Sequence, residues 1–163
     1  PMIIYCDMDG VLTDFERHVE QKSGMKINQW SRLPVKERWA ILEVDKDFWS
    51  KMPWRPDGKV LWSYIRKHNP HILSAYVSQV TDPYCIPGKR DWIRKNLGIS
   101  GSRINLVQRR MKKTFAIKRG TSQQNLLIDD FTSNTREFNQ NGGIAIRHTS
   151  AASTISQLKK LGL

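Results

Sequence analysis

A chain of 163 residues with 39% hydrophobic and 26% charged residues is globular in composition, and one domain of that size buries roughly 68–70% of its unfolded surface. Its two cysteines, Cys6 and Cys85, are too few for a disulfide framework and suit a reducing compartment, so a cytoplasmic protein is expected. No run approaches the ~18 apolar residues of a membrane span and no apolar leader opens the sequence, so no membrane partner is expected. The net charge of +12 is concentrated. Between Gly88 and Arg119 there are eleven lysines and arginines against one acid, Asp91. Such a run is commonly a solvated face, but its density here favours a polyanionic partner.

In chain order, the apolar run Met2 to Cys6 predicts a buried strand that stops at Asp7, Asp9 and Gly10. Side chains alternate along a strand, but past its end the backbone twists away, so both acids can border one crevice. Residues 15–56 show no strand pattern. Trp30, Leu33, Trp39, Ile41 and Leu42 recur at loosely helical spacing, Pro34 fits a helix start, and Pro53 and Pro56 break the pattern, which predicts a small helical insertion. Its aromatic residues read first as the insertion's own core. A helix over 57–68 follows, then a short strand, His71 to Tyr76, with Ser74 near its end. Pro87 and Gly88 open a helix that Gly98 closes. Ile104 to Val107 is a third strand, 112–118 a short helix, and Asn125 to Asp130 a fourth strand ending in acids. A helix over 132–141, with Thr132 or Ser133 as cap, a fifth strand over 143–147 and a helix over 153–161 complete the chain. Strands alternating with helices predict an α/β protein with a parallel sheet flanked by helices.

Ligands bind beyond the carboxyl ends of such strands. Three of the expected strands end in polar groups: Asp7 and Asp9, Ser74, and Asp129 and Asp130. Four carboxylates converging on one crevice repel one another unless a hard cation sits among them, and oxygen ligands with room for water suit Mg²⁺. No His/Cys spacing suggests zinc, and His18, His68, His71 and His148 read as structural or surface residues.

The segments DMDGVLTDF, FWSKMPWRPDGKV, KxxW at Lys89 to Trp92, Lys113-Thr114 and LLIDD together resemble the haloacid dehalogenase superfamily, and within it the 5'(3')-deoxyribonucleotidase branch. The resemblance implies a Rossmann-like (HAD-like) core, residues 1–14 and 57–163, with residues 15–56 as a small helical cap. It implies Asp7 as nucleophile and Asp9 as general acid and base. Mg²⁺ would be held by Asp7, Asp9 through its backbone carbonyl, Asp129 and Asp130, with Asp130 the direct ligand and Asp129 its support. Ser74 and Lys113, in preference to Lys112, would bind the phosphate, and Phe15, Phe48 and Trp49 would border the nucleobase. The aromatic positions expected earlier in the cap do not align with Trp30 or Trp39. The implied activity is Mg²⁺-dependent hydrolysis of nucleoside monophosphates through an aspartyl phosphate. Two alternatives stand beside it: a phosphatase acting on the 3' or 5' ends of DNA or RNA, contacted through the basic stretch 88–119, and a nucleic-acid-binding module on a phosphatase fold. Of the two enzymatic readings, the motifs favour the mononucleotide and the charge favours the strand.

Overall fold

The short apolar segment Ile4–Cys6 is the first strand, β1, and the other strands are arranged about it. In the computed structural model, which describes all residues from Pro1 to Leu163, it is joined by β2 (His71–Ala75), β3 (Ile104–Val107), β4 (Leu126–Asp129) and β5 (Ile144–Arg147). The sheet order is β3-β2-β1-β4-β5, and all neighbours are parallel. The chain runs outward from β1 through β2 to β3, then returns to β4 on the other side. That reversal opens a crevice at the carboxyl end of β1. Tyr5 pairs with Leu127 and Cys6 with Ile128, and Asp7 N–H donates to the Ile128 carbonyl at 2.9 Å. The acids after β1 and those ending β4 therefore arrive at one level.

Alternation along the strands divides the core. Ile4, Cys6, Ile72, Leu126 and Ile128 pack on one face, against α4 (Gly58–Ile65), α5 (Cys85–Leu97) and α7 (Ala151–Lys160). Tyr5, Leu73 and Leu127 face the other way, toward Phe138 of α6 (Thr132–Gln140) and Ala116. That second face is covered more thinly, because the β3–β4 crossover holds a 3₁₀ segment, Arg109–Phe115, instead of an α-helix.

The insertion between β1 and α4 contains α1 (Phe15–Ser23), α2 (Ile27–Arg32) and α3 (Val35–Glu43). Its departing and returning strands are tied: Asp14 N–H donates to Pro53 O and Arg55 N–H to Leu12 O, both at 2.8 Å. Val19, Trp30, Leu42, Phe48 and Trp49 join the same continuous core as the sheet's first face. Gly88 lets α5 approach this layer, since a Cβ there would lie 2.6 Å from the Trp49 Cβ. The next residue, Lys89, consequently points inward and is buried.

The expected strands are all present, within a residue or two. α5 begins at Cys85, ahead of Pro87, because the first turn of a helix tolerates proline. The segment expected as a helix over 112–118 is the 3₁₀ turn at 109–115. α6 has no side-chain cap; Phe131 precedes it, and its first-turn Asn134 turns toward Asp129 instead.

Candidate active site

The crevice is a cavity of about 340 Å³ beyond β1, β2 and β4. Its floor comes from the core, with Asp7, Asp9, Ser74, Lys112 and Asp130, and its far wall from the insertion, with Asp14, Phe15, Glu16 and Arg55.

Asp7 follows the last residue of β1 and is 6% exposed. Its Oδ1 accepts from Met8 N–H at 2.9 Å and lies 3.1 Å from the Lys112 ammonium. Lys112, itself buried, also donates to Asp129 Oδ2 at 2.8 Å. Two of its three N–H groups are thus occupied, and the third is available to the crevice that it lines. Asp129 meets two further donors: Oδ2 also accepts from Asn134 Nδ2 at 3.0 Å, and Oδ1 from Phe131 N–H at 2.9 Å. Asp130 is exposed on one side and packs against Gly10, which has φ +84°. A Cβ on Gly10 would collide with the Asp130 carboxylate, so this glycine provides both the turn and the room.

Carboxylate oxygens of Asp7, Asp129 and Asp130 all lie within 4.8 Å of one another. The electrostatics follow from that crowding. Burial pushes the Asp7 carboxyl well above the ordinary range, Asp129 adds to the push, and Lys112 opposes it. Burial and Asp129 likewise raise Asp130 to about 6. Burial works against the charge on Lys112, but Asp7 and Asp129 together outweigh it and hold the ammonium protonated beyond its usual range. One ammonium does not neutralise three carboxylates. A cluster of hard oxygen donors carrying surplus negative charge is what a divalent cation of the Mg²⁺ kind binds. Asp129 meets three donors, Asp7 two and the Asp130 carboxylate none, so Asp7 and Asp130 are the less engaged of the three.

Asp9 lies on the other side of the floor. Its Oδ1 accepts from Thr13 Oγ1 and its Oδ2 from Lys89 Nζ, both at 2.9 Å. Lys89 is 2% exposed, and its ammonium uses all three hydrogens, on Asp9, on Ser74 Oγ at 2.7 Å and on Ala75 O at 2.8 Å. The Trp49 ring lies 5.2 Å from the same ammonium, a cation–π contact that favours the buried charge. Because Ser74 Oγ accepts from Lys89, its own hydrogen can be donated into the crevice.

No family model and no curated protein matches the sequence. Solved structures do. Over 96% of this chain and 97% of the other, it is similar to a hydrolase from Streptococcus pneumoniae TIGR4, with a TM-score of 0.55 at 10% identity. L-2-haloacid dehalogenase from Xanthobacter autotrophicus matches with a TM-score of 0.50 at 11% identity, over 88% of this chain and 76% of that one. The fold is haloacid dehalogenase-like. At such identities the likeness concerns the fold, and the nucleotidase branch rests on the motifs alone.

Within this haloacid dehalogenase-like frame, Asp7, Asp9, Ser74, Asp130 and Phe15 all reach the crevice, with Asp129 directly behind it. The expectation for Lys113 needs correction. Lys113 is exposed, and Lys112 is the lysine that turns inward to Asp7 and Asp129. In a 3₁₀ turn neighbouring residues point about 120° apart, so only one of two adjacent lysines can face the carboxylates. Phe48 and Trp49 are corrected too. Both are buried in the core and neither lines the crevice. Trp49 stacks on Phe15 at 5.8 Å and donates its indole N–H to buried Asp82 at 2.7 Å. Phe48 packs on His18, whose Nε2 meets the Phe48 carbonyl. The Asp9 carboxylate is engaged by Lys89 and Thr13, so the group it could offer a cation is its backbone carbonyl, the atom the resemblance implies.

Sequence reading passed over Lys89, Arg55, Arg109 and Asn134 as site residues. Lys89 stood in the KxxW segment, and Arg109 in the basic stretch. The stretch itself does not form one surface. Lys89 and Lys112 are buried at the carboxylates, Arg109 lines the crevice and binds Asn134 and Glu137, and Arg103 donates to the Pro70 carbonyl.

Proposed function

We propose that this protein is a Mg²⁺-dependent phosphomonoesterase that removes the phosphate of a nucleotide through a phosphoryl-Asp7 intermediate. The observation that carries the reading is the Asp7 carboxylate, buried, ion-paired with Lys112 and crowded by Asp130, at the floor of a crevice edged by Ser74 and Asp9.

The residues support each step. Asp7 Oδ1 is fixed by Met8 N–H and Lys112, which leaves Oδ2 to form the bond to phosphorus. The free Ser74 hydrogen and the third Lys112 N–H would hold the equatorial oxygens as their charge grows. When the ester P–O bond breaks, Asp9 would deliver a proton to the leaving oxygen. In the second half it would take a proton from water, which attacks phosphorus and returns Asp7 as a carboxylate with release of inorganic phosphate. Mg²⁺ bound by Asp7 and Asp130 would shield the attacking carboxylate from the phosphate's charge. Phe15, which lines the crevice edge on its stack of Trp49, is the surface offered to a base.

The test is phosphate release from p-nitrophenyl phosphate and from a set of 3'- and 5'-nucleoside monophosphates, with Mg²⁺ and with EDTA. Mg²⁺-dependent release that is faster for nucleotides is expected. Absence of release from every ester, or equal release in EDTA, overturns the reading.

A further inference from the structure

The β3–β4 crossover holds charge that the crevice does not use. From Arg109 to Arg119 it carries six cations and no acid. Lys112 is buried with Asp7 and Asp129, and Arg109 pairs with Glu137. Arg110, Lys113, Lys118 and Arg119 are exposed and have no ion-pair partner. Four like charges on one short connection repel each other unless an anion lies over them.

Beside them is a second cavity, of about 680 Å³, on the thinly covered face of the sheet. Tyr5 and Phe115 form its floor, edge to face at 5.3 Å, with Met111 and Ile117 to the side and Lys118 and Arg119 at the rim. No carboxylate lines it. Tyr5 is only 7% exposed, and its hydroxyl, open to this cavity, bonds to nothing in the chain. An aromatic floor, polar groups at Tyr5 and buried Asn125 and a cationic rim match a nucleobase joined to phosphates.

The 3₁₀ segment connects this cavity to the crevice. In a 3₁₀ turn, residues three apart stack into rows. Arg109 and Lys112 form the row at the crevice, Met111 and Thr114 the row at the second cavity, and Arg110 and Lys113 the outward row adjoining both.

We propose that the crossover is a binding track for a single nucleic-acid strand, whose terminal phosphate enters the crevice, whose following phosphates cross Arg110 and Lys113, and one of whose bases lodges over Tyr5 between Lys118 and Arg119. The placing of the terminal phosphate rests on the phosphomonoesterase reading; the base cavity and its cations do not. A base paired in a duplex is unavailable to the cavity, so the strand must be single. A mononucleotide seated in the crevice does not span both cavities.

The test is fluorescence anisotropy with a labelled single-stranded oligonucleotide that lacks a terminal phosphate, in EDTA, so that neither catalysis nor metal contributes. The wild-type protein is expected to bind it with a steep salt dependence. Lys118→Gln/Arg119→Gln should flatten that slope by about 0.7 per lost contact. Tyr5→Phe, which keeps the ring, should weaken binding about threefold. Lys159→Gln/Lys160→Gln removes the same charge from the end of α7 and should leave both readings unchanged, and matched melting curves show that each variant folds. The track is overturned if the wild-type protein binds no strand, if the α7 variant loses as much as the crossover variant, or if duplex binds as well as single strand and Tyr5→Phe changes nothing. Strand binding without hydrolysis of p-nitrophenyl phosphate removes the phosphomonoesterase reading and leaves the track standing. Hydrolysis without strand binding does the reverse.

Discussion

Asp7 and Asp9 stand two residues apart at the end of one strand, yet their surroundings are opposite. Asp7 is packed against Asp129 and Asp130 and shares one ammonium, Lys112, with Asp129. Asp9 has a lysine of its own, a hydroxyl donor and, with its side chain 26% exposed, a path to solvent. The first half of the floor holds excess negative charge that a cation must balance. In the second, each of the three Lys89 hydrogens already has an acceptor, Asp9 Oδ2 among them, so that half is locally complete. The difference suits the division of work in the proposed mechanism, covalent and metal chemistry on the Asp7 side and proton transfer on the Asp9 side, because a proton carrier must exchange with water and a nucleophile need not.

The largest expected effect follows from removing the charge on Asp7. Asp7→Asn is nearly isosteric and keeps an acceptor for Met8 N–H, but an amide is a poor nucleophile. Turnover should fall by more than about 10⁴, with the melting temperature held or raised as crowding is relieved. Activity above about a tenth of wild type would make the two halves equivalent and end the comparison.

Asp9→Asn should cost less, about 10²–10⁴ in kcat, while Mg²⁺-supported binding of substrate survives. The two variants together sharpen the contrast: loss of metal dependence in Asp9→Asn, rather than of kcat, would move Asp9 into the metal set.

A smaller effect separates the two adjacent lysines. Lys112→Met leaves Asp7 and Asp129 without a cation between them and should lower kcat by about 10²–10³. Lys113→Met, on the exposed row, should change hydrolysis of p-nitrophenyl phosphate by less than about twofold, in keeping with surface substitutions. Steady-state kinetics on the pair checks this. The reverse pattern would mean that the 3₁₀ turn presents its other row to the carboxylates.

Much of this floor was legible in the sequence, for a physical reason. Apolar runs that stop at acids, MIIYCDMD and NLLIDD, fix both the strand and its functional end, and a parallel sheet brings such ends together. Asp7, Asp9 and Asp130 are legible in that way, and Ser74 as the polar residue near the end of a separate short run, HILSAY. What could not be read was the direction of side chains outside regular elements. Lys112 and Lys113 are equivalent in composition, and only the 3₁₀ geometry separates them. Lys89 was visible as a residue of a motif, but its contact with Asp9 depends on how closely α5 rides over Gly88 and Trp49, a packing detail eighty residues from its partner. Phe48 and Trp49 show the opposite limit. Aromatic residues near a ligand crevice and aromatic residues filling a core have the same sequence pattern, and here the core took them. α1 lies within the expected helical insertion but is not legible as a separate helix, because only His18 and Val19 of its nine residues are buried, which leaves almost no apolar stripe to read. Its caps, Asp14 and Gly24, were the available signal.

The smallest predicted effect concerns pH and reads the charge imbalance directly. The Asp130 carboxyl moves from 3.8 to about 6, with burial and then Asp129 as causes, and Asp7 is raised in the same direction. A raised carboxyl means that the folded protein keeps a proton that the unfolded chain releases. Its contribution to stability is therefore greatest below pH about 4 and is lost as the pH climbs to about 6. Asp130 is open to solvent on one side, which trims its share to ~1 kcal/mol, about 2–4 °C in melting temperature for a chain of this size. In EDTA, the melting temperature of wild type relative to Asp130→Asn should fall by that amount between pH 4.5 and 7, because the amide has no proton to lose. Mg²⁺ at pH 7.5 should restore the wild type and not the variant, since ligation favours the ionised folded form. A difference between the two proteins that stays flat across the window, with or without Mg²⁺, would show that the Asp7 side holds no surplus charge and that its contrast with the Asp9 side is one of shape alone.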